Sequence, residues 1–429
     1  MRIALVAQNS TPLSQPVPDC GDQTARVASL AQALARLGHR ITIYARRDAP
    51  ALPDSSILAP GVTVEHVTAG PPAPLEADKV TAHLAEFGQY LARHWRRNPP
   101  DIVHAHSWAS GLAALAGARD LDVPVVATFG SLGVAEQRHG RPDQPSPARL
   151  RLEAGIARAA DLVLASSAEE LTELTRLGVP RARVLVVPCG VDPQRFSPDG
   201  PAAERNGRPR LLAAESLTTA HGLELAVQAL AEIPDAELII TGGPDQADLG
   251  RNRAYRDLRR LARRLGVTDR LEFTGHVDAD EMPALLRSAD LLVSTSPYEP
   301  VGLAALQAMA CGTPVATAAA GAEQDAVIDL TTGLVAPPKR PAQLALRIRR
   351  LLANSMQLEA YGIAAADRAT SRYSWERIGR ETLAAYDRCR RVPATATAHG
   401  AKTADAAAAD AAPATPVDEA QPVRAGSRA

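Results

Sequence analysis

FSPDGPAAERNGRP running into RLLAAE, residues 196 to 215, decides the fold. The first part is a Pro/Gly/polar stretch suited to a hinge, and the second opens a fresh apolar run of strand length. On both sides of it the chain alternates short apolar runs with longer segments of helical period, the pattern of a parallel sheet covered by helices. Upstream, RIALVAQ (2 to 8) reads as the first strand. Val27, Leu30, Ala31, Leu34 and Leu37 stripe a helix from about Gln23 to Leu37 that stops at Gly38 before a second strand, Ile41 to Ala45. DIVHAH (101 to 106), VPVVATF (123 to 129), DLVLAS (161 to 166) and RVLVVP (183 to 188) are continuous apolar runs, as strands buried on both faces should be. Downstream, RLLAAE (210 to 215), AELIITG (236 to 242), RLEFTG (270 to 275), DLLVST (290 to 295) and PVATAA (314 to 319) repeat the rhythm. The reading is α/β, with two Rossmann-like doubly wound domains, 1 to 197 and 209 to 372. Loops at the carboxyl ends of both sets of strands then face a common cleft.

Composition agrees with two packed domains: 429 residues, 46% apolar, with 47 Lys+Arg against 48 Asp+Glu. A formal charge of −1 supplies no overall field for nucleic acid, so no nucleic-acid partner is expected. Cys20, Cys189, Cys311 and Cys389 form no CxxC pair and no Cys/His cluster, which favours a reduced, cytoplasmic setting and no metal site. MRIALVAQ (1 to 8) is too short for a signal peptide, and no window of 18 continuous apolar residues exists. From Pro393 to the end, 15 of 37 residues are Ala without a helical stripe, so 393 to 429 reads as a disordered Ala/Thr/Pro-rich tail.

SPYEPVGLAALQAMACGTPVA (296 to 316) offers the first chemistry. A strand ends near Thr295, Glu299 projects from the loop, and a helix starting near Gly302 turns free N–H groups toward any anion. Spacing alone leaves Glu299 as either a capping acid or a ligand contact. Among the other polar residues, His104 reads as packed and His106 as facing the cleft. Glu153 reads as a surface acid or as a residue with an interdomain or acceptor role, and the arginines from Arg251 to Arg264 as a solvated face or a membrane-surface patch opposite a stripe of Leu258, Leu261 and Leu265.

With ARLGHRITIYARRD (35 to 48), VHAHSWASGLAA (103 to 114), VVPCGVDPQRFSP (186 to 198), TGGP (241 to 244), YEPVGLAALQAMACGTPV (298 to 315) and TTGLVAPP (331 to 338) in order, the chain resembles the family 4 retaining glycosyltransferases, over residues 1 to about 390. The likeness is greatest to the branch of the inositol-phosphate N-acetylglucosaminyl transferases and sucrose-phosphate synthases. The resemblance implies the GT-B fold, with acceptor bound by the first domain, a nucleotide diphosphate sugar bound by the second, and a helix at 373 to 390 crossing back to the first. It implies hexosyl transfer with retention, with no metal and no cofactor beyond the nucleotide sugar. The acceptor is then a small molecule, a glycan or a lipid-linked compound.

By the same resemblance, Gly21, Ser216, His221, Glu299, Val301, Gly302, Leu303 and Gln307 fall at donor-binding positions, Glu299 and His221 being catalytic, and His106 and Glu136 at acceptor positions. Several of these depart from the family's pattern. Ser216 and His221 stand where an Arg and a Lys steady the leaving diphosphate, Asp22 replaces the second of two glycines, and Gly130 replaces a cleft His. Glu136 replaces a Lys that holds an acidic acceptor, and Gln307 replaces the acid that grips the ribose. Removing one preorganised donor to developing negative charge costs roughly 10²- to 10³-fold in turnover, so the combined loss is on the order of 10⁴-fold. His221, protonated beside a diphosphate, partly replaces the Lys.

Two functions follow: a retaining sugar transferase, or a catalytically impaired relative acting as a nucleotide-binding or regulatory partner of a competent glycosyltransferase. A loose membrane association is compatible with either. A nicotinamide-dependent oxidoreductase is disfavoured, because NSTPLSQP rather than G-x-G-x-x-G follows the first strand.

Overall fold

The computed structural model describes residues 1–8, 21–75, 77–141, 144–217 and 222–391. His221 and the expected tail at 393 to 429 lie outside them. Eight strands form the first sheet: β1 (Arg2–Val6), β2 (Arg40–Arg46), β3 (Ser55–Ala59), β4 (Val62–Val67), β5 (Ile102–His106), β6 (Val125–Thr128), β7 (Leu162–Ala165) and β8 (Val184–Val186). Their order is β3-β4-β2-β1-β5-β6-β7-β8, all parallel except β3, which pairs antiparallel with β4. The expected strands are all present. The β3–β4 hairpin is an addition to the expected alternation, turning at Pro60 and Gly61.

The second sheet takes β9 (Arg210–Ala214), β10 (Glu237–Thr241), β11 (Leu271–Gly275), β12 (Leu291–Ser294), β14 (Val315–Thr317) and β16 (Gly333–Val335) in the parallel order β11-β10-β9-β12-β14-β16. Between them, β13 (Tyr298–Glu299) and β15 (Ala320–Gly321) pair as a separate two-stranded ribbon. Both sheets bury apolar side chains on both faces, Ile3 and Leu5 opposite Val6 and Val103 in the first and Leu212 and Leu292 opposite Ile240 in the second. That is why their strands read as unbroken hydrophobic runs rather than as alternation. The result is a two-domain GT-B architecture.

Helices cover each face. The helix Leu84–Arg97 buries Leu84, Phe87, Leu91 and Trp95 at three- and four-residue spacing. The helix Arg253–Leu265 buries Ala254, Leu258 and Ala262 and packs Leu261 against the same core, while the expected Leu265 is exposed. Its arginines are half-exposed or exposed, most of them fully, as a solvated face requires. The segment 196 to 209 is strapped to the second domain: Arg287 donates to the carbonyls of Pro201 and Ser197, and Arg205 pairs with Asp290.

The helix Trp375–Arg391 crosses back to the first domain. Its Ala385 and Tyr386 join the core built around Ile3, Leu5 and Ile41. At Gly190 the approach is so close that a Cβ would meet the Trp375 ring at 2.4 Å. The domains also meet at Tyr298, which leaves the second domain to bury itself in the first domain's cluster of Ala127, Phe129, Leu132 and Ala165. No helix among the described residues is long and apolar enough to cross a membrane.

Candidate active site

On the second-domain side, the loops leaving β9, β12 and β14 converge. Glu215 stands immediately after β9 with Ser216 beside it, and Ser294 Oγ at the end of β12 donates to Glu215 Oε1 at 3.3 Å. Thr317 Oγ1 at the end of β14 donates to Glu323 Oε2 at 2.6 Å. Glu299 on β13 is half-buried, and the Gly302 N–H donates to its Oε1 at 3.3 Å. Gly302, at φ 69°, caps the helix Leu303–Ala310, and a Cβ there would meet Glu323 Cγ at 3.3 Å. Glu299 and Glu323 therefore flank one helix N-terminus.

The electrostatics follow from this crowding. Burial, then the charges of Glu323 and Glu299, hold the Glu215 carboxyl well above the usual carboxylate range. Burial and Glu299 push Glu323 up to about 7. Hydroxyls and backbone N–H groups are the groups that favour ionisation here, and they do not offset the loss of water. Val301, Leu303 and Gln307 are half-buried, Gln307 a little over one turn into the helix. Among the described residues, no group of three or more His, Cys, Asp or Glu is arranged to hold a metal ion.

On the first-domain side, Gly21 opens the helix Gly21–Arg36, and its Gln23 Nε2 donates to the His106 carbonyl at 2.6 Å. A cavity of about 70 Å³ lies there, lined by Gln23, Arg26, His106, Ser107, Gly130 and Ser166 among others. His104 is packed as expected. Thr128 Oγ1 donates to the Leu164 carbonyl at 3.2 Å and so accepts from His104 Nε2 at 2.9 Å, leaving Nδ1 to accept from Tyr386 Oη at 2.8 Å.

His106 faces the cavity. Burial and the Arg26 charge lower its pKa to about 3, so it is neutral, and its Nε2 has no hydrogen-bond partner among the described residues. Ser107, next in the chain, holds φ at 101°, a strained setting of the kind that gathers at functional sites. Gly130, also left-handed at φ 75°, leaves room that Arg26 takes up: its Nη2 is 3.6 Å from where a Cβ would stand.

One expectation changes here. Glu153 is not a surface acid. It is 1% exposed, because Arg149 Nε at 2.7 Å and the Gly133 N–H at 2.8 Å replace water around its carboxylate. Glu136 is buried too, paired with Arg149. The structure thus brings Ser216, Glu299, Gly302 and Gln307 to one domain's face of the cleft and His106, Gly130 and Glu136 to the other. Sequence reasoning missed Glu215, Glu323, Arg26 and Arg149. For Glu215 the signal was present, an acid terminating a buried strand one position before the missing Arg.

The comparisons agree with this geometry. The family model Glycosyltransferase Family 4 matches residues 23–195, and Glycosyl transferases group 1 matches residues 199–368. The chain is 34% identical over 410 residues to the D-inositol 3-phosphate glycosyltransferase of Geodermatophilus obscurus, covering 90% of this chain and 89% of that one. It is 32% identical over 408 residues to D-inositol 3-phosphate glycosyltransferase 2 of Catenulispora acidiphila, covering 90% and 95%. Among solved structures, the sucrose-phosphate synthase of Thermosynechococcus elongatus matches with a TM-score of 0.81 at 28% identity, covering 90% of this chain and 98% of that one. Fold and cleft thus define a two-domain, nucleotide-sugar-dependent glycosyltransferase architecture. The chain belongs to the family 4 glycosyltransferases, in the branch of these inositol-phosphate and sucrose-phosphate enzymes.

Proposed function

We propose that the protein transfers a hexosyl group from a nucleotide diphosphate sugar to an acceptor in the cleft with retention of anomeric configuration, and that it does so slowly. As the glycosidic bond lengthens, negative charge builds on the diphosphate and the sugar gains oxocarbenium character. Glu299 orients the donor sugar. The helix terminus at Val301 to Leu303 and the backbone at Gly21 are assigned to the phosphates with Ser216 and His221, and Gln307 to the ribose. The nucleotide sugar is a co-substrate, and neither metal nor cofactor is assigned a role. Cytoplasmic residence fits the cysteine usage. The observation that carries this reading is Glu299 at the N-terminus of the helix Leu303–Ala310, its carboxylate accepting the Gly302 amide at the carboxyl end of the second sheet.

A second reading is a catalytically impaired relative that serves as a partner of a competent glycosyltransferase. It is favoured by the grouping of Glu215, Glu299 and Glu323, which raises the electrostatic cost of a leaving diphosphate. Calorimetry with UDP, GDP and ADP and their sugars, followed by hydrolysis assays, separates the two. Binding with slow turnover of one donor supports the transferase. Nucleotide binding without turnover, or no binding beside a co-purifying transferase, supports the partner.

A further inference from the structure

The helix Gly133–Arg138 follows β6 by a short loop at the carboxyl end of the first sheet and carries Glu136, 7% exposed. Arg149, on the helix Pro147–Ala159, meets that carboxylate with two parallel hydrogen bonds, Nη1 to Oε2 at 3.0 Å and Nη2 to Oε1 at 3.1 Å. Ser131 Oγ donates to Oε1 at 2.6 Å. The guanidinium's third side is also taken, Nε donating to Glu153 Oε1 at 2.7 Å. A two-pronged contact of this kind is how arginine grips a carboxylate or phosphate ligand. Here the chain supplies its own anion.

The pair borders the cleft. His139, which closes the Glu136 helix, stacks on Tyr298 with ring centroids 5.1 Å apart, and Glu299 is the next residue after Tyr298. Arg26, the arginine of the neighbouring cavity, lies within the field of the buried Glu170.

Resting on the transferase reading, we propose that Glu136 sets the acceptor's charge: by occupying the Arg149 fork it turns away phosphorylated and carboxylated acceptors and leaves this half of the cleft to an uncharged, hydroxyl-rich one. A sugar or polyol hydroxyl can donate to a carboxylate. A phosphate would meet the Glu136 and Glu153 oxygens with no guanidinium edge left to offset them.

Calorimetric titration of the full chain with myo-inositol and with D-inositol 3-phosphate reads the selectivity. The wild type should show no preference for the phosphorylated probe. Glu136→Gln, which keeps the size of the side chain, and Glu136→Ala should each bind the phosphorylated probe about tenfold or more tightly than the wild type does, equivalent to about 1.4 kcal/mol. Adding Arg149→Gln should remove the gain, which a merely structural role for Glu136 would not produce. A wild type that prefers the phosphorylated probe about tenfold, or Glu136 variants that fold and gain nothing for it, overturns the proposal. Nucleotide titrations on the same samples keep the two readings apart. Binding and turnover of a donor with an unchanged acceptor preference sinks this inference alone, and the expected gain without any nucleotide binding sinks the transferase reading alone.

Discussion

Buried carboxylates lie on both sides of the cleft, and the two domains treat them differently. In the first domain Glu136 and Glu153 share Arg149, Glu173 is held by Arg138 and Arg176, and Glu169 meets His139 at 2.5 Å. In the second, Glu323 and Glu299 raise the proton affinity of Glu215, and Glu299 that of Glu323, among hydroxyls and amides. The difference teaches that burial by itself does not fix charge. Arg149 and Arg138 supply matched cations to the first set, although burial still raises Glu153, whereas hydroxyls and amides leave Glu215 and Glu323 above the usual carboxylate range. Near neutral pH the donor side changes charge through Glu323 and the acceptor side through Glu170, while the Arg149 fork stays filled by Glu136.

The largest effect should come from breaking a compensated set. Arg149→Ala leaves Glu136 and Glu153 buried without their cation, and chemical denaturation should show a loss of about 3–5 kcal/mol. A loss under 1 kcal/mol would mean that the first domain's carboxylates are no better compensated than the second's.

Adding cations to the other side should raise activity rather than stability. Ser216→Arg combined with His221→Lys should raise donor turnover roughly 10²- to 10³-fold, the usual worth of one preorganised donor to developing charge. Unchanged turnover would show that something other than missing charge limits the second domain.

Tyr298 joins the two halves and sharpens the contrast. Its ring is 1% exposed, while its hydroxyl is buried with no hydrogen-bond partner among the described residues. Tyr298→Phe should therefore be neutral or stabilise by about 1 kcal/mol, since it removes an unsatisfied polar group and keeps the ring. A clear loss in thermal midpoint would reveal a bonded hydroxyl.

A further contrast is in the pH dependence of folding. Glu323 holds its proton up to about 7 in the folded chain against an ordinary value of 4.5. The folded state therefore binds more protons between those values, and its stability falls as pH rises from about 4.5 to about 7. Glu323→Gln should flatten that part of a denaturation-midpoint profile. An equally steep profile in the variant would move the burden to Glu215 or Glu170.

Most of the fold was legible in the sequence, because a parallel sheet buried on both faces leaves unbroken runs such as VPVVATF and AELIITG that helical segments cannot imitate. The β3–β4 hairpin was not. SSILAPGVTVEHV carries polar and charged residues, and its pairing is local and antiparallel, off the expected rhythm. For the site, Ser216 and His221 stand out only through the resemblance, as positions where the family carries an Arg and a Lys. The carboxylate grouping could not be read. Glu215, Glu299 and Glu323 are separated by 84 and 24 positions and meet only because β9, β13 and β15 end at one place. The pairing of Glu136 with Arg149 was hidden for the same reason, and so Glu153 passed for a surface acid.

The central claim is that the donor pocket must carry protons to admit a diphosphate. Titration calorimetry of UDP, GDP and ADP at pH 6 and pH 8, each in two buffers of different ionisation enthalpy, tests it most directly. Whichever nucleotide binds should do so about tenfold or more tightly at pH 6 than at pH 8, with net proton uptake at pH 8 that Glu323→Gln reduces and of which His221→Ala leaves a substantial part. Affinity that is the same at both pH values, with no proton taken up, would contradict it.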